Sequence, residues 1–491
     1  MSSKAFAFCL LPFVVLATLN AGGYRYGASD QAFYLPVVLA KLDPGLFPRD
    51  ASLLAAQSTL TTYDEVIAAI VRVTGAPVPA VFALLYVAAL TLIALGAWLI
   101  GNRFYLTTGA VVTFLAALTL RHAIARSGTN TLEGYFHPRQ MAFGLGIIAV
   151  AAFLRGRFAA AIALVLCAGA VHPTAALWFA IWLTTAAVIV SRDARRWMRM
   201  AIIPVAAVAA WALLAGPLAG RLTRMDDDWL RILSGKDYLF ILEWPMYAWV
   251  LNLGYLAVVG LLYTRRQRAG VVSHEERALV LGSSSLALVF LLAVVAQAMH
   301  LTLAFQLQPA RLFLCFDLMA TMYAVWALAE MPISGSTRLA MRPVIAAALI
   351  VLFSLARGAY VLIEAKRPAV QVAIPDDDWG RAMAWAKSTP KTTGWLADPM
   401  HAMLYGTSVR VAGERDVFVE GVKDTALGIY DRRIAVRTDE RLRELDDFRG
   451  LSVDTARSLA SRYDLDYLVT VSALDLPLAF ESGSLRIYKL R

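Results

Sequence analysis

The chain has 491 residues, 59% hydrophobic and 17% charged, with a net charge of +10. Soluble domains are nearer half apolar and a quarter charged, so this composition excludes an ordinary soluble protein and indicates a multi-pass membrane protein. The charge is uneven: 27 basic and 16 acidic residues precede Glu364, whereas 19 basic and 20 acidic residues follow from there. The basic excess belongs to the membrane part, which argues for anionic lipid and against nucleic acid.

The first apolar run, about 5–22, follows Lys4. Its length also suits a cleaved signal peptide, which would leave the sidedness of the remainder unchanged. A long loop, 23–76, comes next. In it SDQAFYLPVVLAKL reads as a short helix on the membrane surface, with Ser29 or Asp30 at the N-cap and a kink at Pro36. LDPG and FPRD supply turns. TTYDEVIAAIVRVTG reads as a second amphipathic helix, with Val66, Ile67, Ile70, Val71 and Val73 on one side.

Further apolar runs lie at about 77–100, 104–121, 138–154, 158–171, 174–190, 200–218, 245–263, 279–299, 309–329 and 344–363, which makes about eleven spans. The two runs around His172-Pro173 are separated because proline disfavours helical geometry in the residue before it. With the N-terminus inside, the basic clusters RGR, RDARRWMR and TRRQR all fall on the inner side, in segments 155–157, 191–199 and 264–277. The inner segment 330–342 joins them. The outer side then carries the 23–76 loop, the 121–137 loop, the His172 turn, the 221–244 and 300–308 segments, and the whole tail. Cys9, Cys167 and Cys315 lie in apolar runs and form no disulfide framework.

Outer-face basic groups need a reason of their own. His122, His137, His172 and His300 sit on this rim with Arg121, Arg126, Arg139, Arg311 and Arg357. A phosphate at the headgroup level is one reason, since guanidinium forks match phosphate oxygens. Interfacial snorkelling and pairing with acids such as Glu133 and Asp226 is the other. Asp317 and Arg357 lie at similar depth, roughly 9–12 Å inside their spans, which suggests an ion pair across helices. Asp317 with Arg311 is the local alternative. Asp30 is either a helix cap or a surface carboxylate able to take a proton from a hydroxyl.

From residue 364 the composition becomes that of a small α/β domain. PDDDWGRAMAWAKSTP and VDTARSLASRYDL read as helices. GWLADP, VRVAG and DYLVTV read as strands, and LAFESGSLRIYKL as a hairpin. His401 reads as a surface residue. There is no nucleophile elbow, P-loop or Cys/His metal spacing. The tail either binds acceptor or glycan, or caps the membrane domain.

Asp30 in GASDQAFYL, within the loop that ends LDPGLFPRD, resembles the acid-bearing first outer loop of the GT-C superfamily of polyprenyl-phosphate-sugar-dependent membrane glycosyltransferases. More closely, HPRQMAFGLGIIA, VHPTAALW, STPKTTGWLADP and RYDLDYLV are similar to segments of uncharacterised bacterial multi-pass proteins of GT-C-like layout. The resemblance implies an all-α polytopic bundle (1–363) with a small extracytoplasmic α/β domain (364–491). It implies a sugar donor on polyprenyl phosphate and an envelope glycan, lipid or protein acceptor. Asp30 would be the catalytic base. Asp50, Arg121, His137, Arg139, His172, Arg311, Asp317 and Arg357 would be the substrate-binding candidates. Many GT-C enzymes carry two adjacent acids in this loop, whereas Gln31 follows Asp30 here. A lone acid weakens any metal site, since hard cations want several oxygens. No cofactor is expected, and a divalent metal is left open. The implied location is the bacterial inner membrane, with the N-terminus cytoplasmic and the tail periplasmic. The rival readings are a transporter or flippase of lipid-linked saccharide, which would need polar groups through the depth of the bundle, and a non-catalytic protein on the same fold.

Overall fold

The computed structural model describes residues 3–59, 61–332 and 341–491; most of the inner segment 330–342 lies outside them. A helix forms at each expected apolar run. Among the described residues, seven helices have the length and composition to cross a membrane: Val78–Phe104, Pro173–Val190, Arg192–Leu214, Met246–Arg268, His274–Ala298, Pro309–Ala329 and Arg342–Ala365. Lys4–Asn20, Thr108–Leu118, Pro138–Phe153 and Phe158–Val171 are shorter apolar helices. The protein is a multi-pass membrane protein. The break at His172 is present: its backbone is extended, and Pro173 opens the next helix.

The helices pack closely where side chains are small. A Cβ on Gly146 would lie 2.3 Å from the Phe179 ring, and one on Gly96 would lie 2.6 Å from Ile147. Small residues at such crossings let membrane helices approach. Just beyond the inner ends of the expected spans, Arg266 and Glu276 form a buried pair at 3.0 Å. The Tyr323 hydroxyl donates to Glu276 at 2.9 Å, and the Arg266 guanidinium lies 3.9 Å from the centre of the Phe104 ring. This pair joins helices Met246–Arg268 and His274–Ala298 at their adjoining ends.

The first loop folds differently from expectation. Helix Gln31–Leu42 buries Gln31, Ala32 and Tyr34–Val38. It packs between the bundle and the tail. Helix Tyr63–Thr74 buries Tyr63, Asp64, Ile67 and Ala68, whereas Val66 and Val73 are exposed. Ile67, Ile70 and Val71 of the apolar stripe pack on the core.

Among the described residues there are nine short strands: β1 (Tyr24–Arg25), β2 (Ala123–Ile124), β3 (Thr129–Asn130), β4 (Val370–Gln371), β5 (Gly394–Leu396), β6 (Asp416–Val417), β7 (Tyr467–Thr470), β8 (Leu478–Ser482) and β9 (Leu485–Lys489). β1 pairs in parallel with β4 and ties the first loop to the start of the tail, while β2 and β3 form a hairpin. The tail sheet has the order β6-β5-β7-β9-β8. Its first three strands are parallel, with Trp395 opposite both Val417 and Tyr467. Successive residues serve opposite faces, as strand geometry requires. Leu396, Leu468 and Tyr488 pack with Ala456 and Leu459 of helix Val453–Tyr463. Trp395, Val469 and Ile487 pack with Trp379, Ala382 and Met383 of helix Asp378–Ser388. The tail is therefore a sheet between helices.

Two tail expectations are corrected. VRVAG is not a strand: Val409–Gly413 forms a single π-helical turn, opened by Ser408, whose side chain accepts from the Val411 amide. That turn delivers Arg410 to two acids, and tertiary pairing overrides the strand preference of its valines. His401 is not on the surface. It is fully buried beside Trp379, with ring centroids 5.9 Å apart, and its Nδ1 lies 2.7 Å from the Asp398 carbonyl oxygen.

Candidate functional site

The segments that topology assigns to one side meet around one cavity of about 820 Å³. The first loop brings Asp30 and Tyr34, the 121–137 loop His137, and the helix break His172. The fourth segment brings Arg221, Lys236 and Tyr238, the fifth Gln308 with the adjoining Arg311, and the tail Lys423 and Tyr430.

Two His-Pro pairs build part of its wall by the same device. His137 and His172 are both N-cap residues followed by proline at the first helical position. Proline suits that position because its missing N–H has no helical partner there. The Nδ1 of His137 accepts from the Arg139 amide at 3.0 Å, and that of His172 from the Ala175 amide at 3.2 Å. An accepting Nδ1 leaves the proton of a neutral ring on Nε2. Burial, aided by Arg139, brings the His137 pKa down to about 4. Burial, then His137 and Arg311, holds His172 well below the usual histidine range. Both rings are thus neutral donors at pH 7. Their centroids lie 6.1 Å apart.

Asp30 holds the N-cap position of its helix, but its side chain makes no capping hydrogen bond. Its Oδ1 lies 2.7 Å from Lys423 Nζ. Its Oδ2 accepts from the Tyr135 hydroxyl at 3.2 Å and faces His137 Nε2 at 3.3 Å. Burial alone would raise the Asp30 pKa, but Lys423 and His137 outweigh it and hold the group well below the ordinary carboxylate range. The side chain keeps 28% exposure, toward the cavity. Asp30 is therefore an ionised carboxylate held on an accessible wall.

Positive groups also line the cavity. Arg311 has a buried Nε without a hydrogen-bond partner. Lys236 donates to the Val422 carbonyl at 2.7 Å; burial and then the neighbouring Lys423 lower its pKa. Arg221 donates to Gln306 at 2.6 Å. Among the charged lining residues, four are cations (Arg221, Lys236, Arg311, Lys423) and two are acids (Asp30, Glu65). The cavity favours an anionic guest.

The other sequence candidates lie elsewhere. Arg139 borders a small void beside the main cavity, with His172 and Arg311, and is buried against Glu133 at 2.6 Å. Arg121 reaches the same Glu133 at 3.7 Å and is 40% exposed. Asp50 is sealed in a clamp: Arg410 Nε is 2.7 Å away, Arg437 reaches its other oxygen, and Arg410 also holds Asp424 at 2.6 Å. This clamp fixes the tail on the first loop. Asp317 and Arg357 do not pair. Asp317 binds His122 Nδ1 at 2.8 Å, and Arg357 donates to the Asn20 side chain at 2.7 Å. The His122 ring also meets the Ala117 carbonyl at 3.1 Å, so both nitrogens face acceptors. Burial opposes its charge, but Asp317 raises its pKa. Among the described residues, no three His, Cys, Asp or Glu side chains gather as a metal site.

Sequence reasoning missed Lys236, Tyr238, Lys423 and Tyr430. Lys236 had a weak signal, a basic residue on an outer segment. Lys423 had none, because its partner Asp30 lies 393 residues away.

No protein-family model matches the chain, and no curated protein matches it in sequence. In structure it is similar to the oligosaccharyltransferase of Archaeoglobus fulgidus in the apo form, with 13% identity and a TM-score of 0.45, covering 95% of this chain and 69% of that one. It is also similar to the Archaeoglobus fulgidus oligosaccharyltransferase AglB in complex with an inhibitory peptide and a dolichol-phosphate, with 12% identity, a TM-score of 0.45 and the same coverages.

Proposed function

We propose that the protein is a membrane glycosyltransferase that moves a sugar from a polyprenyl-phosphate donor to an envelope acceptor on the outer face. The observation that carries this reading is one cavity holding an ionised carboxylate, Asp30, together with Arg311, whose buried Nε has no hydrogen-bond partner among the described residues. In the proposed reaction an acceptor hydroxyl attacks the anomeric carbon. The bond from that carbon to the phosphate oxygen breaks, and the polyprenyl phosphate leaves with the electron pair. The hydroxyl proton passes to Asp30. Arg311 and Lys236 stabilise the charge that grows on the phosphate, an interaction stronger in the transition state than before it. His172 donates from Nε2 to the same oxygens. Lys423 contacts Asp30 at 2.7 Å, so the acceptor hydroxyl must displace or share that contact.

The reading also assigns about eleven spans, a cytoplasmic N-terminus and a periplasmic tail in a bacterial inner membrane. The transport alternative draws no support from the Arg266–Glu276 pair, which is sealed at the inner end and lines no part of the cavity.

The test is complementation of a deletion strain with wild type or Asp30→Asn, followed by mass analysis of envelope glycans and glycoproteins. Wild type should restore a missing sugar mass. A membrane-inserted Asp30→Asn protein should not. Equal restoration by both would remove Asp30 from the chemistry.

A further inference from the structure

The tail contains a second cavity, about 510 Å³, which shares no lining residue with the first. Its position follows from the sheet. The chain passes from β5 outward to β6, then crosses back to β7 on the other side of β5. In open parallel sheets such a reversal leaves a crevice beyond the carboxyl ends of the two strands, where ligands bind. Here those ends are Asp398, just after β5, and Thr470 to Ser472, at the end of β7. All of them line the cavity.

The lining has a specific chemistry. Tyr405 stacks on the buried Trp379 with centroids 4.3 Å apart and planes 12° from parallel. Trp379 is itself anchored, its Nε1 donating to Thr407 at 3.1 Å. This gives a rigid, half-exposed aromatic platform. Beside it, Asp398 spends one carboxylate oxygen on the Met400 amide at 2.8 Å. Neither Asp398 nor Arg449, which also lines the cavity, makes an ion pair among the described residues. An apolar face flanked by a hydrogen-bond acceptor and a donor matches a pyranose, which has an apolar C–H face and a rim of hydroxyls. The volume lies within the range of roughly 300–1,000 Å³ typical of small-molecule sites. A nucleotide fits less well. The turn after β5, Ala397 to Met400, lacks the glycines that let a backbone wrap a phosphate, and the Asp398 carboxylate would repel one.

We infer that this crevice is a saccharide-binding site, with Tyr405 as the stacking platform, Asp398 as the hydroxyl acceptor and Arg449 as the rim donor. The inference is independent of the transfer reaction. A glycan held here would be gripped away from the cavity that contains Asp30.

The test uses saturation-transfer NMR on the full chain in detergent. The sugars are a neutral glucose disaccharide and its uronic-acid counterpart, with uridine diphosphate as a third ligand. Wild type should bind at least one disaccharide, with transfer concentrated on ring C–H protons. Asp398→Asn and Tyr405→Ala should each weaken binding at least tenfold, and Tyr405→Phe should retain it. Asp30→Asn should bind like wild type, which separates this site from the first. If Tyr405→Ala fails to fold, Asp398→Asn decides. No disaccharide binding, binding unchanged in Asp398→Asn, or binding of uridine diphosphate alone would overturn the inference.

Discussion

Asp30 and Asp50 lie twenty residues apart in the same loop, and both are held by cations from the tail. Their surroundings separate them. Asp50 is 1% exposed, and Arg410, equally buried, bridges it to Asp424. No guest has room to approach. Asp30 meets a single lysine and keeps 28% of its surface toward the cavity. The same charge pairing thus produces a fastener in one place and an accessible carboxylate in the other. Packing around the pair, not the pair itself, distinguishes structure from chemistry.

Substitutions that act on only one side of this contrast can break or sharpen it. The largest effect is expected for Arg410→Ala. It strands the buried Asp424 carboxylate and leaves Asp50 to Arg437 alone, and breaking a buried pair typically costs about 3–5 kcal/mol. Thermal unfolding in detergent and protease sensitivity of the tail would measure it. An unchanged melting profile would remove the fastener role of Asp50.

His401 extends the sealed class. Burial brings its pKa down to about 4 from an ordinary 6.5. The unfolded chain therefore binds a proton that the folded chain refuses, and stability falls as pH drops from about 6.5 to about 4. The full contribution is up to about 3 kcal/mol. Wild type should lose this much more stability than His401→Gln over that window. Parallel pH profiles would contradict the neutral buried ring.

The open class should respond in activity. Asp30→Asn is expected to lower sugar transfer at least about 100-fold, the usual minimum for loss of a proton-transfer group. Its melting should move less than that of Arg410→Ala. A variant that melts early and transfers normally would reverse the assignment of the two acids. Smallest is Arg311→Gln, which should weaken binding of a short-chain polyprenyl phosphate by about tenfold, or about 1.4 kcal/mol. Calorimetry would detect this. An unchanged affinity would place the phosphate elsewhere.

The limits of sequence reading follow the same line between local and distant causes. Every expected apolar run has its helix, and the break at His172-Pro173 is where proline sterics require it. These outcomes depend on composition within one or two turns of chain. That the segments assigned to one side fall together was also legible, because parity is a property of order along the chain, and they line one cavity. VRVAG shows where local preference fails: its valines favour a strand, but Arg410 must reach Asp50, 360 residues away.

The sequence by itself determined a helical membrane bundle, a long first loop bearing an acid, and a small α/β tail, since hydropathy and periodicity act over short distances. Only the tertiary structure decided that Asp317 meets His122 and not Arg357, that Asp50 fastens while Asp30 faces a cavity, and that Lys236 and Lys423 join it. Those partners are chosen by packing between segments far apart in the chain. A charge carries no mark of its partner until the surrounding surfaces close around both.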